Sequence, residues 1–291
     1  MRYRLAILFV AASSVWADEH PLTWERASIV QIEEVVASGC LAPTDPHPTL
    51  FEFFSDAILE SDGSVIFVAN SANRGKSVLG REGVYGIDRA GRPSTFVERG
   101  EVVGKDERTV AAVRALEMRD GVPVAKCLFE DNKVEEVFLG GVSSDREISA
   151  TSPRSSVFGV RTGSRSVYRV GDDGTRLLVA DHNTQIYDLF EGSFTGFDER
   201  VVSFGPWVVF SGYAKTYKGL FAMNLETNRL YVLLDNRASV GDRRVADFQI
   251  SESPRSDADF AVTLSFRDGV SGIYIFRFGD QKGSPLFGGR N

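Results

Sequence analysis

The residues of this sequence that could carry out chemistry are few and widely separated. The segment from Asn70 to Ser77 nearly matches a phosphate-binding loop, but Asn70 replaces its first glycine. The following Val78-Leu79-Gly80 does not favour the helix whose N-terminal amides would hold a phosphate. We therefore interpret this segment as a polar loop.

The three histidines are also scattered along the chain, at His20, His47 and His182. Asp181-His182-Asn183 follows an apolar run and could ligate a metal or act as a base, but one histidine in a polar turn favours a solvated turn. Gly171-Asp172-Asp173-Gly174 could supply calcium ligands, but a complete site needs about six oxygens, so a hairpin turn is the better interpretation. We predict no cofactor and no metal site.

Motifs of hydrolytic enzymes are missing from the sequence, which contains no G-x-S-x-G and no H-E-x-x-H. The 40 acidic residues could still include a pair of catalytic carboxylates of the kind that glycosidases use. Nothing in the sequence selects such a pair, so enzymatic activity stays open, and the balance is against it.

Regular repetition is the strongest signal in the chain. Short apolar runs surround aromatic residues at 85, 138, 168, 221 and 274, so the steps between them are 53, 30, 53 and 53 residues. Three of these runs share a glycine two positions before the aromatic residue, as in Gly83-Val84-Tyr85, Gly219-Leu220-Phe221 and Gly272-Ile273-Tyr274. Each run is typical of a β-strand.

Further apolar runs lie at similar distances before and after each aromatic residue, separated by turn pairs such as Asp62-Gly63 and Asp173-Gly174. Four short strands per unit, repeated about five times, predict an all-β fold, a β-propeller of about five four-stranded blades, with six as the alternative. The step of 30 residues indicates either a compressed third blade or an error in that unit.

The segment Ile29–Val36 is a good strand that belongs to no unit of its own. We expect it to pair with the last blade, because this would close the ring and remove an exposed edge. An ordinary first strand of a β-sandwich is the alternative.

Ser61-Asp62-Gly63-Ser64-Val65-Ile66-Phe67, followed later by Glu82-Gly83-Val84-Tyr85, resembles the repeat of secreted bacterial tandem-repeat propeller proteins. Some of those proteins carry C-terminal cell-surface anchors, which we do not expect from the short polar segment 283–291. The resemblance implies a propeller fold and an exported location, and it implies no catalytic residues.

Residues 1–17 have the features of a secretory signal peptide: Arg2 and Arg4, an apolar run over 5–12, and Val15 and Ala17 before the expected cleavage point. We therefore expect a secreted or periplasmic protein, with one propeller domain over 18–291 and no membrane-spanning segment. Cys40 and Cys127 could form a disulfide there or remain free thiols.

A formal net charge of −7 and the lack of a basic cluster argue against nucleic acid as a partner. In a propeller, the loops between second and third strands share one face with the loops between blades, and such faces commonly bind ligands. Candidate ligand-binding residues on these loops are Asn70, Arg74, Lys76, Asp181, His182, Tyr213, Lys215, Tyr217 and Lys218.

We interpret the protein as an exported, non-enzymatic binding module for a protein or glycan of unknown identity. The alternative is an extracellular polysaccharide hydrolase or lyase with carboxylates at the mouth of the channel. A subunit of an envelope assembly is a third interpretation, and it predicts a large exposed apolar patch.

Overall fold

The computed structural model of the protein describes residues 24–26, 30–43, 49–72, 81–104, 106–119, 122–139, 166–170, 175–184, 186, 193–214, 217–251 and 259–278. The regular elements of these residues are all β-strands. The predicted signal peptide at 1–17 lies outside the described residues, as do the Gly171-Asp172-Asp173-Gly174 turn, His20 and His47.

Two strands precede the first blade: β1 (Trp24–Arg26) and β2 (Val30–Ala37). The first blade contains β3 (Leu41–Ala42), β4 (Thr49–Leu59), β5 (Val65–Ala72), β6 (Arg81–Ile87) and β7 (Pro93–Glu98). The second contains β8 (Val102–Val103), β9 (Arg108–Arg119), β10 (Val122–Phe129) and β11 (Val134–Phe138). The third contains β12 (Ser166–Val170) and β13 (Arg176–Asp181).

The fourth blade contains β14 (Gly196–Phe204), β15 (Trp207–Ala214), β16 (Tyr217–Asn224) and β17 (Arg229–Asp235). The fifth contains β18 (Ser239–Val240), β19 (Arg243–Ile250), β20 (Asp259–Phe266) and β21 (Ser271–Phe278). These five sheets follow one another along the chain, and within each blade consecutive strands are hydrogen-bonded neighbours. The all-β propeller prediction is confirmed.

The ring closes as the sequence predicts. Strand β2 is antiparallel to β21, with Val30 opposite Phe278 and Ala37 opposite Gly272. The N-terminal strand therefore becomes the outer strand of the fifth blade, although it precedes the other strands of that blade by some 200 positions in the chain. This pairing covers an edge that would otherwise be open.

The repeated aromatic residues occupy equivalent places. Tyr85, Phe221 and Tyr274 lie in β6, β16 and β21, which are the third strands of their blades when the two-residue strands β3 and β18 are not counted, and all three are buried. Phe138 in β11 and Tyr168 in β12 belong to different sheets, so the step of 30 residues joins two separate blades.

The core of the protein lies between neighbouring blades rather than within one sheet. Side chains of β15 alternate between two clusters: Trp207 and Val209 pack with the fifth blade, while Val208 and Phe210 pack with the third. Because successive side chains of a strand point to opposite faces, a blade covered on both sides needs a continuous apolar run, as Trp207–Phe210 provides. Two further clusters join the fifth blade to the first and the first to the second.

Glycine precedes the aromatic residue of the third strand because the ring folds back over it. A Cβ at Gly219 would lie 2.6 Å from the ring of Phe221, and one at Gly83 would lie 2.9 Å from the ring of Tyr85. A side chain at either position has no room beside a buried ring. The glycine-aromatic repeat is therefore a packing motif.

Both cysteines are free thiols in this structure. Cys40 is exposed in the turn between β2 and β3, whereas Cys127 is buried in β10 between the first and second blades. The disulfide alternative is not formed here.

Candidate binding face

One end of the propeller gathers most of the residues that the sequence singled out. Antiparallel neighbours within each blade place the end of the second strand and the start of the third at the same end as the connections between blades. We call this end the loop face. Asn70, Asp181, His182, Tyr213 and Lys218 lie at it, whereas Arg74, Lys76 and Lys215 are outside the described residues.

Asn70 and Tyr213 occupy equivalent positions in the first and fourth blades. Asn70 of β5 lies between Phe53 of β4 and Glu82 of β6. In the same way, Tyr213 of β15 lies between Gly196 of β14 and Lys218 of β16. The first and fourth blades therefore carry different side chains at the same position of the blade repeat.

In the fourth blade, Tyr213 and Lys218 at this position take part in a polar network that reaches the fifth blade. The Tyr213 hydroxyl donates a hydrogen bond to Asp198 of β14. The Lys218 Nζ lies 3.3 Å from the Asp198 carboxylate and 2.8 Å from that of Asp247 in β19. It also donates to the Phe248 carbonyl oxygen at 2.8 Å. The network ties the third strand of one blade to the inner strand of the next.

The pKa values in this network follow from burial and the two carboxylates. Burial and the hydrogen bond to Asp198 both raise the pKa of the Tyr213 hydroxyl. Burial alone would lower the pKa of Lys218, but the hydrogen bond to Asp247 and the charge of Asp198 outweigh it, so the pKa is raised. Lys218 is therefore a firmly charged group that is already bound within the protein.

The same network bears on the hydrolase alternative. The Lys218 Nζ lies 3.3 Å from an Asp198 oxygen and 2.8 Å from an Asp247 oxygen. These two carboxylate oxygens are therefore at most 6.1 Å apart. Carboxylates about 5–10 Å apart are the arrangement that glycosidases use around a scissile bond. Here the Lys218 ammonium occupies the space between them, so this pair does not form such a site.

Tyr213, Tyr217 and Lys218 lie in strands, so the expectation that they belong to a loop is wrong. Only residues 215 and 216 separate β15 from β16, so Tyr217 is the first residue of a strand. Tyr217 is 2% exposed and packs in the core between the third and fourth blades, because it alternates with Lys218 along the strand. Its ring is not available to a ligand.

Asp181 and His182 lie where β13 ends at the loop face. Asp181 accepts hydrogen bonds from the backbone N–H groups of Asn183 and Thr184 and from the Thr184 hydroxyl. Partial burial would raise the pKa of Asp181, but these bonds outweigh it and hold the pKa below its usual range. His182 is exposed. Asp181 thus shapes a turn, as the sequence interpretation expected of this segment.

No group of three or more His, Cys, Asp or Glu side chains within the described ranges is arranged to hold a metal ion.

The charged residues of the inner strands are the part of the site that the sequence did not reveal. Apart from the two-residue strands β3, β8 and β18, the first strands of the first, second, fourth and fifth blades are β4, β9, β14 and β19. Each of these four strands contains at least one β-bulge. The residues that the bulges leave without a ladder partner are Glu52, Ser55, Asp56, Ala111, Arg114, Asp198, Glu199, Arg200 and Ala246. None of these is buried. Bulges redirect side chains, and here they release charged groups from the packed faces of the blades.

Two of these bulge residues meet across the inner strands. The Arg200 guanidinium lies 2.7 Å from the Asp56 carboxylate, which joins the fourth blade to the first. Another nitrogen of Arg200 donates to the Ile250 carbonyl oxygen of the fifth blade at 3.4 Å. Arg200 therefore links three inner strands.

Exposed apolar side chains distinguish the first two blades from the others at the loop face. The large apolar residues that are exposed in the described part of the chain are Leu41, Phe53, Val102, Val134, Phe138, Leu177 and Leu178. The first four lie near the loop-face ends of β3, β4, β8 and β11. Phe53 is 55% exposed, although Phe51 and Phe54 beside it in β4 are each 1% exposed.

The described strands define a β-propeller whose inner strands carry charged bulge residues and whose loop face exposes apolar side chains on the first two blades. No family model matches the sequence, and no curated protein matches it. Among solved structures, TolB from Acinetobacter baumannii matches with 11% identity and a TM-score of 0.28, over 84% of this chain and 64% of that chain. The chain thus spans less than two thirds of that protein.

The β-propeller domain of the Trilobed protease from Pyrococcus furiosus matches with 17% identity and a TM-score of 0.25, over 93% of this chain and 86% of that one. The assignment to the propeller class rests on the strand order and ring closure of this chain. Within the described ranges, no helix is long and apolar enough to cross a membrane.

Proposed function

We propose that this propeller is an exported, non-enzymatic binding module whose loop face receives a protein partner. The observation that carries the proposal is the group of exposed apolar side chains Leu41, Phe53, Val102 and Val134 at the loop face of the first two blades. Exposed apolar groups at one end of two adjacent blades are a feature of protein interaction sites.

The chemistry of this group favours a protein over a glycan. Three of the four side chains are aliphatic and offer neither a hydrogen bond nor an aromatic plane to a sugar. Asn70, a ligand-binding candidate from the sequence, lies beside Phe53 in the sheet and is exposed. The proposal keeps the loop face and moves its centre from Tyr213 and Lys218 to the first two blades. The signal peptide predicted at 1–17 and the resemblance to secreted tandem-repeat propellers support an extracellular or periplasmic setting.

Site-specific photo-cross-linking tests this assignment. A photoreactive phenylalanine analogue at Phe53 is compared with the same analogue at Arg89, which is exposed in the β6–β7 turn at the opposite end of the first blade. We expect a discrete protein adduct from position 53 in the exported fraction and none from position 89. A second arm applies the mature protein to a glycan array.

Leu41→Ser and Val102→Ser in one chain should reduce the adduct at position 53 at least several-fold, because both substitutions remove apolar area from the proposed contact surface. Identical adducts from both positions, or binding confined to glycans, would contradict the proposal.

A further inference from the structure

The outer strand of the fourth blade lacks the features that normally protect a sheet edge. Between Arg229 and Asp235, β17 reads Leu230-Tyr231-Val232-Leu233-Leu234, with no charge and no proline. Such a run of β-forming apolar residues readily pairs with any extended chain.

Two other outer strands in the described residues carry protective features. Strand β7 begins with Pro93 and ends with Glu98, and β2 carries Glu33 and Glu34 in its middle. Proline and charged side chains at an edge disfavour the addition of another strand. Strand β13 shares with β17 the lack of charge and proline between its end residues, but Leu177 and Leu178 of β13 are exposed.

The burial of β17 is also that of an interior strand. Leu230, Tyr231 and Val232 are 1%, 5% and 3% exposed, and they pack alternately with the third and the fifth blade. In β7, by contrast, only the last two residues are buried. With both faces covered, the outer backbone edge is the remaining side on which β17 can pair with a further strand.

This edge already holds an extended segment of the chain. Strand β1 runs parallel to β17, with Trp24 opposite Leu230, Glu25 opposite Tyr231 and Arg26 opposite Val232. The adjacent pairs within all five blades are antiparallel, so this addition does not belong to the blade repeat. A three-residue pairing is short, and in the described residues the next strand along the chain is β2.

We infer that the outer edge of β17 is a strand-acceptor site for an extended polypeptide in parallel register, with the chain's own N-terminal segment as its detachable occupant. The site is distinct from the loop face, and the inference does not depend on the proposed function. Backbone hydrogen bonds supply most of the affinity in such strand addition. While β1 is attached, its high effective concentration keeps other chains from the edge.

Two proline substitutions in the full mature chain test the inference. The backbone N–H groups of successive residues in a strand point to opposite sides. Of the two variants Glu25→Pro and Arg26→Pro, one therefore removes an N–H that donates to β17, and the other removes an N–H that points away from β17. The second variant is thus the matched control. We expect amide hydrogen exchange at 230–234 to rise at least tenfold in one variant and to change less than twofold in the other.

A labelled peptide with the sequence of residues 18–29 then probes the edge in trans by fluorescence anisotropy. It should bind the disrupted variant at least tenfold more tightly than the unsubstituted protein, where the same segment competes in cis. The peptide carrying the disruptive proline should not bind. Unchanged exchange at 230–234 in both variants would overturn the inference, as would equal binding of the two peptides. Cross-linking at Phe53 is independent of these results, so the two proposals fail separately.

Discussion

Arg200 and Asp56 are 144 positions apart in the chain, yet their side chains form a 2.7 Å ion pair that joins the inner strands of the fourth and first blades. Both residues lie in β-bulges, and a third inner strand contributes the Ile250 carbonyl oxygen to the same guanidinium. Since the fifth blade separates the two partners in the ring, this contact holds the closing blade between its neighbours.

The pair should contribute measurably to stability. The two side chains are 25% and 16% exposed, so their charges are less screened by water than those of a surface pair. In a double-mutant cycle of Arg200→Met and Asp56→Asn, followed by urea unfolding, we expect a coupling energy of about 1–2 kcal/mol.

The exposed pair Arg92–Asp88 is the matched control, because the Arg92 side chain is 81% exposed. Its cycle should give a clearly smaller coupling energy than that of Arg200 and Asp56, because water screens the exposed charges. Equal coupling energies for the two pairs would show that the inner-strand contact does not stabilise the ring.

Gly219→Ala should destabilise the protein by about 1–3 kcal/mol, because the added methyl group meets the fully buried Phe221 ring at 2.6 Å. Gly196→Ala is the control in the same blade, where a Cβ meets nothing within 4 Å. That variant should stay within about 0.5 kcal/mol of the unsubstituted protein. Thermal and urea unfolding measure both, and similar losses would contradict the role of the glycine as space for the ring.

The propeller could be predicted from the sequence because one packing rule recurs in it. In each unit, an aromatic ring that packs over a glycine requires the glycine two positions before the aromatic residue. Gly83, Gly219 and Gly272 all stand in this relation to a buried aromatic ring. The closing strand at Val30–Ala37 was also predictable, since an apolar strand that belongs to no unit can pair with the open edge of the last blade.

The inner-strand site could not be predicted in the same way, because bulges break the alternation that reveals a strand. Phe51 and Phe54, for example, are both buried with two exposed residues between them, a spacing that does not fit a regular strand and matches one face of a helix instead. The signal that could have been used is this spacing of three, which recurs at Val110 and Val113 and at Val245 and Phe248. Tyr217 was misplaced because its neighbouring lysines suggested a loop where the strand begins.

Lys218→Met should destabilise the protein by about 1–3 kcal/mol at neutral pH, because it leaves the carboxylates of Asp198 and Asp247 close together without the ammonium between them. Adding Asp247→Asn should recover part of this loss, since one of the two like charges is then removed. Lys133→Met is the control, because the Lys133 side chain is 70% exposed and its ion pair is longer, at 3.8 Å. If the double variant were less stable than Lys218→Met, repulsion between the carboxylates would not be the cause.

Cys127 should make the protein lose stability at alkaline pH. Burial, together with the nearby charge of Glu82, raises the pKa of the Cys127 thiol from 9.0 to about 11. The folded state thus favours the neutral thiol, so its contribution is fully present below pH 9 and is lost as the pH rises through about 11. A shift of this size corresponds to at most about 2–3 kcal/mol.

Urea unfolding between pH 7 and pH 11 measures this loss. In Cys127→Ala the decline with pH should be smaller by that amount, whereas Cys40→Ser, at an exposed cysteine, should follow the unsubstituted protein. Thiol titration of the native protein at pH 8 should count one reactive group, and the unfolded chain should count two, because the thiolate is the reacting form and Cys127 is buried. Two reactive thiols in the folded protein, or identical pH profiles for all three proteins, would show that Cys127 is not held neutral by the core between the first two blades.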